Sequence, residues 1–311
     1  MLKGVLLVNL GTPAAPTPEA VRAYLAEFLG DPRVVEIPRL LWLPILHGIV
    51  LRTRPAKSAA KYAQIWTDEG SPLMVHTRRQ AELLRAVLPQ VQVEFAMRYG
   101  APSISSGLEK LAGCDDILVV PMYPQFARST TESIRDVLPK GTRMLEDFHD
   151  HPAYISALAA LVRGDWSAHG RPDVLVMSFH GLPQRSIERG DPYFHQCMRT
   201  ADLLSQALGL EQKRFGVGFQ SRFGPAQWIR PYTSDILARL GAERTRKVDV
   251  LCPGFVADCL ETLEEIAIEG REIFQHAGGG DYRALPCLNE HPAWIGALAK
   301  IVLENPASAP T

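Results

Sequence analysis

The sequence has no CxxC pair. Its five cysteines (Cys114, Cys197, Cys252, Cys259 and Cys287) are scattered along 311 residues, which excludes a zinc ribbon or a thioredoxin-type redox site and fits a reducing compartment. No apolar run reaches the length needed to span a bilayer. The N-terminus offers Lys3 and then only Val5 to Val8 before Asn9. That is too short for the apolar region of a secretory signal and reads as a first strand in a cytoplasmic chain. Charge of one sign is also lacking: 33 basic residues face 34 acidic ones, a formal net charge of -1, so nucleic acid is not implied as a partner. Phosphate-binding and hydrolase motifs fail in turn. Gly216-Val-Gly218 lacks a third glycine and sits inside a strand pattern, and neither GxxxxGK[ST] nor GxSxG occurs. Gly278-Gly279-Gly280 reads as a flexible turn.

What is present is a repeated alternation. Strand-like runs fall at Val5–Leu10, Val91–Met97, Ile117–Met122, Val174–Phe179, Phe215–Phe219 and Val248–Cys252, with a weaker one at Arg283–Cys287. Helical patterns separate them, at Pro18–Leu29, Arg78–Leu88, Thr131–Leu138, Pro152–Val162, Phe194–Leu208, Pro231–Leu240, Leu260–Phe274 and Pro292–Leu303. Such alternation predicts βαβ units and parallel sheets, hence an α/β fold. The Gly- and Pro-containing stretch Arg163–Pro172 is the expected boundary, giving an N-terminal domain over 1–165 and a C-terminal domain over 166–311.

The halves echo each other. Leu10-Gly11-Thr12-Pro13 parallels His180-Gly181-Leu182-Pro183, and Arg98-Tyr99-Gly100 parallels Arg222-Phe223-Gly224. Phe126, Ser129 and Glu132 parallel Phe255, Asp258 and Glu261 at identical offsets. One βαβ design used twice would aim its loops at a shared cleft. The first half has Leu10 where the second has His180. One apolar wall and one ionisable wall suit a large flat apolar ligand acted on from one side.

Three stretches carry candidate chemistry. Asp173–Pro183 reads as a buried strand ending at His180, where ligands bind in open α/β sheets. A strand-end histidine that only bonds a loop carbonyl is the bland alternative. In Cys252–Ile266, Asp258 and Glu261 stand at the start of a helix. They fit a capping box, with Glu261 alternatively a catalytic carboxylate. Glu265, Glu269 and Glu272 continue Glu261 along one face, either as a solvated acidic face or as a path for a divalent cation. In the third stretch, Leu40 to Leu51 is almost wholly apolar and includes Trp42. Arg52, Arg54, Lys57 and Lys61 follow. The region around 31–75 has no counterpart in the second half and reads as an insertion. It is either core or an apolar lip with a basic rim, suited to an amphiphilic carboxylate ligand or a membrane surface.

Taken together, these motifs resemble the ferrochelatase family, which inserts ferrous iron into protoporphyrin to make haem. The match runs over nearly the whole chain. It includes Leu7–Pro13, Arg52–Pro55, Met97–Tyr99, Tyr123-Pro-Gln125 with Ser129-Thr130, Ser178–Pro183, Arg189–Tyr193, Phe219–Ser221 and Phe255–Leu263. The resemblance implies two flavodoxin-like domains with porphyrin held between them, as a monomer or homodimer, in the cytoplasm or peripherally on a membrane. It implies His180 and Glu261 as the essential metal-site residues and Fe2+ as the substrate metal; behind Glu261, the spacing makes Glu265 and Glu269 the candidate metal path. Leu10, Trp42, Arg52, Arg54, Tyr123, Trp228 and Phe255 are the expected substrate-binding residues. Members with an iron–sulfur cluster use cysteines after the last helix. None follows Cys287 here and Arg128 stands near Tyr123-Pro-Gln125, so no cluster is expected. Cys259 occupies a position that is histidine in some members. The rival readings are a chelatase for coproporphyrin or another tetrapyrrole and metal, and a non-catalytic haem- or porphyrin-binding protein.

Overall fold

The computed structural model describes residues 3–222, 224 and 226–305. These form two compact units, one of Met1–Tyr123, Ala127–Asp147 and Ala299–Thr311, the other of Pro124–Phe126 and Phe148–Leu298.

The first unit is built on β1 (Lys3–Gly11), β2 (Val91–Tyr99), β3 (Asp116–Pro121) and the short β4 (Arg143–Met144), all parallel in the order β2-β1-β3-β4. β1 is central, and Leu6, Leu7 and Val8 are fully buried. Helices cover both faces of such a sheet, so no polar alternation survives along the strand. The second unit repeats the plan with β5 (Val174–His180), β6 (Phe215–Gln220), β7 (Lys247–Leu251) and β8 (Asp281–Ala284), in the order β6-β5-β7-β8. Both orders are those of the flavodoxin-like doubly wound fold, in which functional loops leave the carboxyl ends of the central strands.

The units divide near residue 148, earlier than the sequence boundary of 165. The reason lies in helix Pro152–His169. It ends at Gly170 (φ 78), and its Trp166 indole donates to the buried Asp249 carboxylate on β7 at 2.8 Å. The glycine and proline there stop a helix and start a strand inside the second unit. β8 also ends earlier than the expected Arg283–Cys287, because the Cys287 N–H turns away from the ladder to the Asp258 carboxylate. β4 was not expected at all: two residues carry no periodicity.

The insertion is helical. Helix Arg39–Ile45 runs through a wide turn, Leu46–Val50, into helix Leu51–Ile65. Its apolar residues split by face. Trp42 is buried and its indole donates to the Leu29 carbonyl at 2.6 Å, whereas Leu40 is 91% exposed and Leu41, Ile45 and Ile49 are also exposed. No helix among the described residues is long and apolar enough to cross a membrane.

Candidate functional site

β5 delivers His180 half-buried at its last position. The Nδ1 atom lies 2.6 Å from the Gly181 carbonyl oxygen. A carbonyl only accepts, so Nδ1 carries the proton and the Nε2 lone pair is left for a proton or a metal. Gly181 is tightly enclosed. Its N–H donates to the Gln220 carbonyl at 2.7 Å, and a β-carbon there would meet that oxygen at 2.8 Å and the Trp228 ring at 3.1 Å. The chain beyond is laced to Gln227–Ile229 by Gln184 N–H to Gln227 O and Ile229 N–H to Leu182 O, each 2.9 Å. This lacing places the Trp228 ring 6.5 Å from the His180 ring, centroid to centroid.

Glu261 opens a wide helix of π type, Glu261–Gly270, and is half-buried. Helical segments of π type are rare and are frequently found at functional sites. The capping-box arrangement does not form. The Asp258 N–H donates to Asn289 Oδ1 at 2.9 Å. The Asp258 carboxylate is filled by the Thr262 hydroxyl at 2.8 Å, the Asn289 amide at 2.6 Å and the Cys287 N–H. Glu261 is therefore not consumed as a cap. Burial pushes the Cys259 thiol well up, and its hydrogen bond to the adjacent Glu261 carboxylate adds to that. A thiol so held is a proton donor to Glu261.

The carboxylate row is less uniform than its spacing implies. Glu265 accepts from the Ser221 N–H at 2.7 Å and from the Ser221 hydroxyl, with Ser221 in the left-handed region (φ 64). Glu269 is half-buried and Glu272 exposed.

The matching position in the first unit is occupied differently. Glu132 ends a shorter wide turn, Arg128–Glu132, and accepts from Arg33 at 2.5 Å, while Arg33 also reaches Asp136. Leu10 sits before Gly11 as His180 sits before Gly181. The echo of Arg98-Tyr99-Gly100 is only partly described, since Phe223 lies outside the described residues.

The ferrochelatase family model matches residues 2–306. A ferrochelatase of Azoarcus sp. (strain BH72) is 58% identical, with 96% of this chain and 86% of that protein covered. The chain belongs to the ferrochelatase family. A ferrochelatase of Nitrosomonas europaea is 54% identical over the same shares of the two chains. Among solved structures, SirB from Bacillus subtilis with Fe3+ matches with a TM-score of 0.55, covering 98% of this chain and 95% of that one. At 14% identity that likeness speaks for the fold alone.

The residues expected to hold the ferrochelatase substrate differ in burial. Trp42 is a core anchor rather than part of the exposed lip. Tyr123 is half-buried and packs against the first unit's core, its hydroxyl buried without a partner and pushed well up by burial. Trp228 is 9% exposed, against Gly181. Phe255 is half-buried and packs on the second unit's core. Arg52 is exposed and Arg54 half-buried on helix Leu51–Ile65. The sequence reading did not single out Gln220 or Asn289, although Gln220 lies in the Phe219–Ser221 motif.

Proposed function

We propose that this ferrochelatase inserts Fe2+ into protoporphyrin IX to give protohaem, the last step of haem synthesis, with His180 and Glu261 as the groups that meet metal and pyrrole nitrogens. The observation that carries the reading is the Gly181 carbonyl on Nδ1 of His180, which leaves Nε2 basic. Metallation of a free porphyrin releases two pyrrole protons. A neutral imidazole is a base suited to near-neutral pH and a competent Fe2+ ligand. Glu261, unspent as a cap, supplies the second acceptor and an anionic charge for the entering cation. A base and a carboxylate are what a pure binding protein has no need of. The test is anaerobic incubation of the protein with porphyrin and Fe2+, watching the free-base spectrum convert to that of the metal complex. Faster turnover of coproporphyrin than of protoporphyrin would overturn the assigned substrate while leaving the chemistry in place.

Glycine at 181 belongs to the same reading. Gly181→Ala is expected to lower kcat at least about tenfold with secondary structure intact by circular dichroism, because the new methyl pushes against the Gln220 carbonyl and Trp228. Wild-type kcat in that variant would detach His180 from its supposed geometry.

The exposed apolar residues Leu40, Leu41, Ile45 and Ile49, followed by Arg52 and Lys57, support a peripheral contact with an anionic membrane surface, the lip inserting and the cations meeting headgroups. Leu40→Ser with Leu41→Ser is expected to release the protein from anionic vesicles and leave its melting temperature unchanged. Trp42→Ser is expected to do the opposite, costing about 3–5 kcal/mol of stability as a truncated core aromatic. Vesicle binding that survives the double serine variant would sink the membrane reading. We also read the chain as free of an iron–sulfur cluster. The five cysteines are scattered along the chain and no two form a CxxC pair, a poor match to the clustered thiolates that hold such a cluster.

A further inference from the structure

We propose that Gln220 is a positioning residue for metal insertion, a single side chain and carbonyl that set His180 and Glu261 relative to each other. The proposal rests on the reading of those two as the reacting pair and goes beyond it.

Gln220 is the last residue of β6 and stands in register beside His180 on β5. It is buried, 5% exposed. Its main-chain carbonyl accepts the Gly181 N–H at 2.7 Å. That bond orients the same glycine whose own carbonyl fixes Nδ1 of His180. Its side chain works toward the other partner. Nε2 donates to the Glu261 main-chain carbonyl at 2.8 Å, at the opening of the wide helix. Oε1 accepts the Ser178 hydroxyl at 2.6 Å, and Ser178 in turn meets Thr233 Oγ1 at 2.7 Å. The Cys252 thiol also approaches Oε1, at 3.7 Å.

The chemistry of the glutamine is needed in full. The amide must donate to one group and accept from another at opposite ends. A carboxylate would set two acceptors against each other at Glu261, and a hydrocarbon would leave the Ser178 hydroxyl and the Glu261 carbonyl without this partner. The Glu261 carbonyl has a second lone pair, and Gln220 takes it from outside the helix, so the helix opening is tied to the strand beside the one that carries the histidine. The next residue continues the tie: Ser221 holds Glu265 with its N–H and hydroxyl. Buried networks of this kind are worth more for geometry than for net stability. In a reacting site, a shift of about 1 Å can cost about a hundredfold in rate.

The test is Gln220→Met, which keeps the length and removes both polar ends. The expected result is a kcat reduced on the order of a hundredfold, a raised KM for the metal and an unchanged KM for porphyrin. That split is what a displaced metal-side pair produces and a general loss of packing does not. Gln125→Met is the control. Gln125 is equally buried in the same unit and donates to Thr200 at 3.0 Å, without a bond to His180, Gly181 or Glu261. It should lose melting temperature without moving the metal KM. Should Gln220→Met fail to fold, Ser178→Ala removes the other end of the strut and is expected to move kcat and metal KM the same way, less far. Unchanged metal KM in the folded variant, or the same kinetic profile for Gln125→Met, overturns the proposal. An active His180→Ala enzyme would instead overturn the reading beneath it.

Discussion

Replacing His180 by alanine will abolish iron insertion and leave porphyrin binding intact. The side chain is the last of β5, half in solvent, and it makes one local hydrogen bond, to the next residue's carbonyl. The core beneath it consists of Phe179, Met177 and Val176, each fully buried. Removing the imidazole costs the fold little. The functional loss is different in kind. Alanine offers no base for the pyrrole protons and no nitrogen for Fe2+. General-base catalysis alone is worth about 10²–10⁴ in rate, and loss of a metal contact adds to that. Measured by porphyrin fluorescence quenching and by anaerobic turnover, the expected pattern is an unchanged dissociation constant with turnover at background. Turnover within a few-fold of wild type would make His180 a structural residue. Leu10→His is the converse probe. It puts an imidazole before Gly11 in the first unit, where the corresponding carboxylate, Glu132, is already bound by Arg33. It should not create a second insertion site or rescue His180→Ala.

How much of this was legible in the chain depends on the range of the interaction concerned. β1 and β5 could be read directly, because burial on both faces writes an unbroken apolar run into the sequence. His180 could be placed because a strand that ends at glycine and proline also fixes where its last side chain sits. The lip was legible as a segment but not by face. Leu40, Leu41 and Trp42 are adjacent, and only packing decides that the indole turns inward to the Leu29 carbonyl while the leucines stay in solvent. Tyr123 is no easier to place from sequence, since an aromatic at a strand's end reads equally as clamp or core. The carboxylates at Asp258 and Glu261 show the limit most clearly. Their spacing is that of a capping box, yet Asp258 is claimed by Asn289 and Cys287, far away in sequence. Ser221 claims Glu265 only because it adopts a left-handed backbone. Neither contact has a local signature. The repeated echo was a better guide than any single motif. It predicted two sheets of one design, and the two orders β2-β1-β3-β4 and β6-β5-β7-β8 are the same order twice.

The same echo supplies the control for the largest remaining effect, the loss of the Glu261 charge. Glu261→Gln keeps the size and the main-chain carbonyl that Gln220 holds. Its amide oxygen can still accept from the Cys259 thiol. No side chain caps this helix, so no cap is lost and the melting temperature should stay where it is. What disappears is the negative charge and the basicity. If Glu261 takes a proton or steers the cation, kcat should fall by orders of magnitude, for Fe2+ and for Zn2+ alike, since both enter as divalent cations and both displace two protons. Glu132→Gln makes the identical change at the echoed position of the other unit, the end of its shorter wide turn. There the carboxylate is half of an ion pair with Arg33, and both side chains are about a third exposed. Such a pair is worth less than about 1 kcal/mol, and Arg33 retains Asp136 at 2.7 Å. Glu132→Gln should therefore cost a little stability and almost no activity, the reverse of Glu261→Gln. The two variants, compared by melting temperature and by kcat for each metal, separate charge that reacts from charge that only pairs. An active Glu261→Gln enzyme, or equal kinetic damage from both changes, would remove the case for placing the chemistry in the second unit.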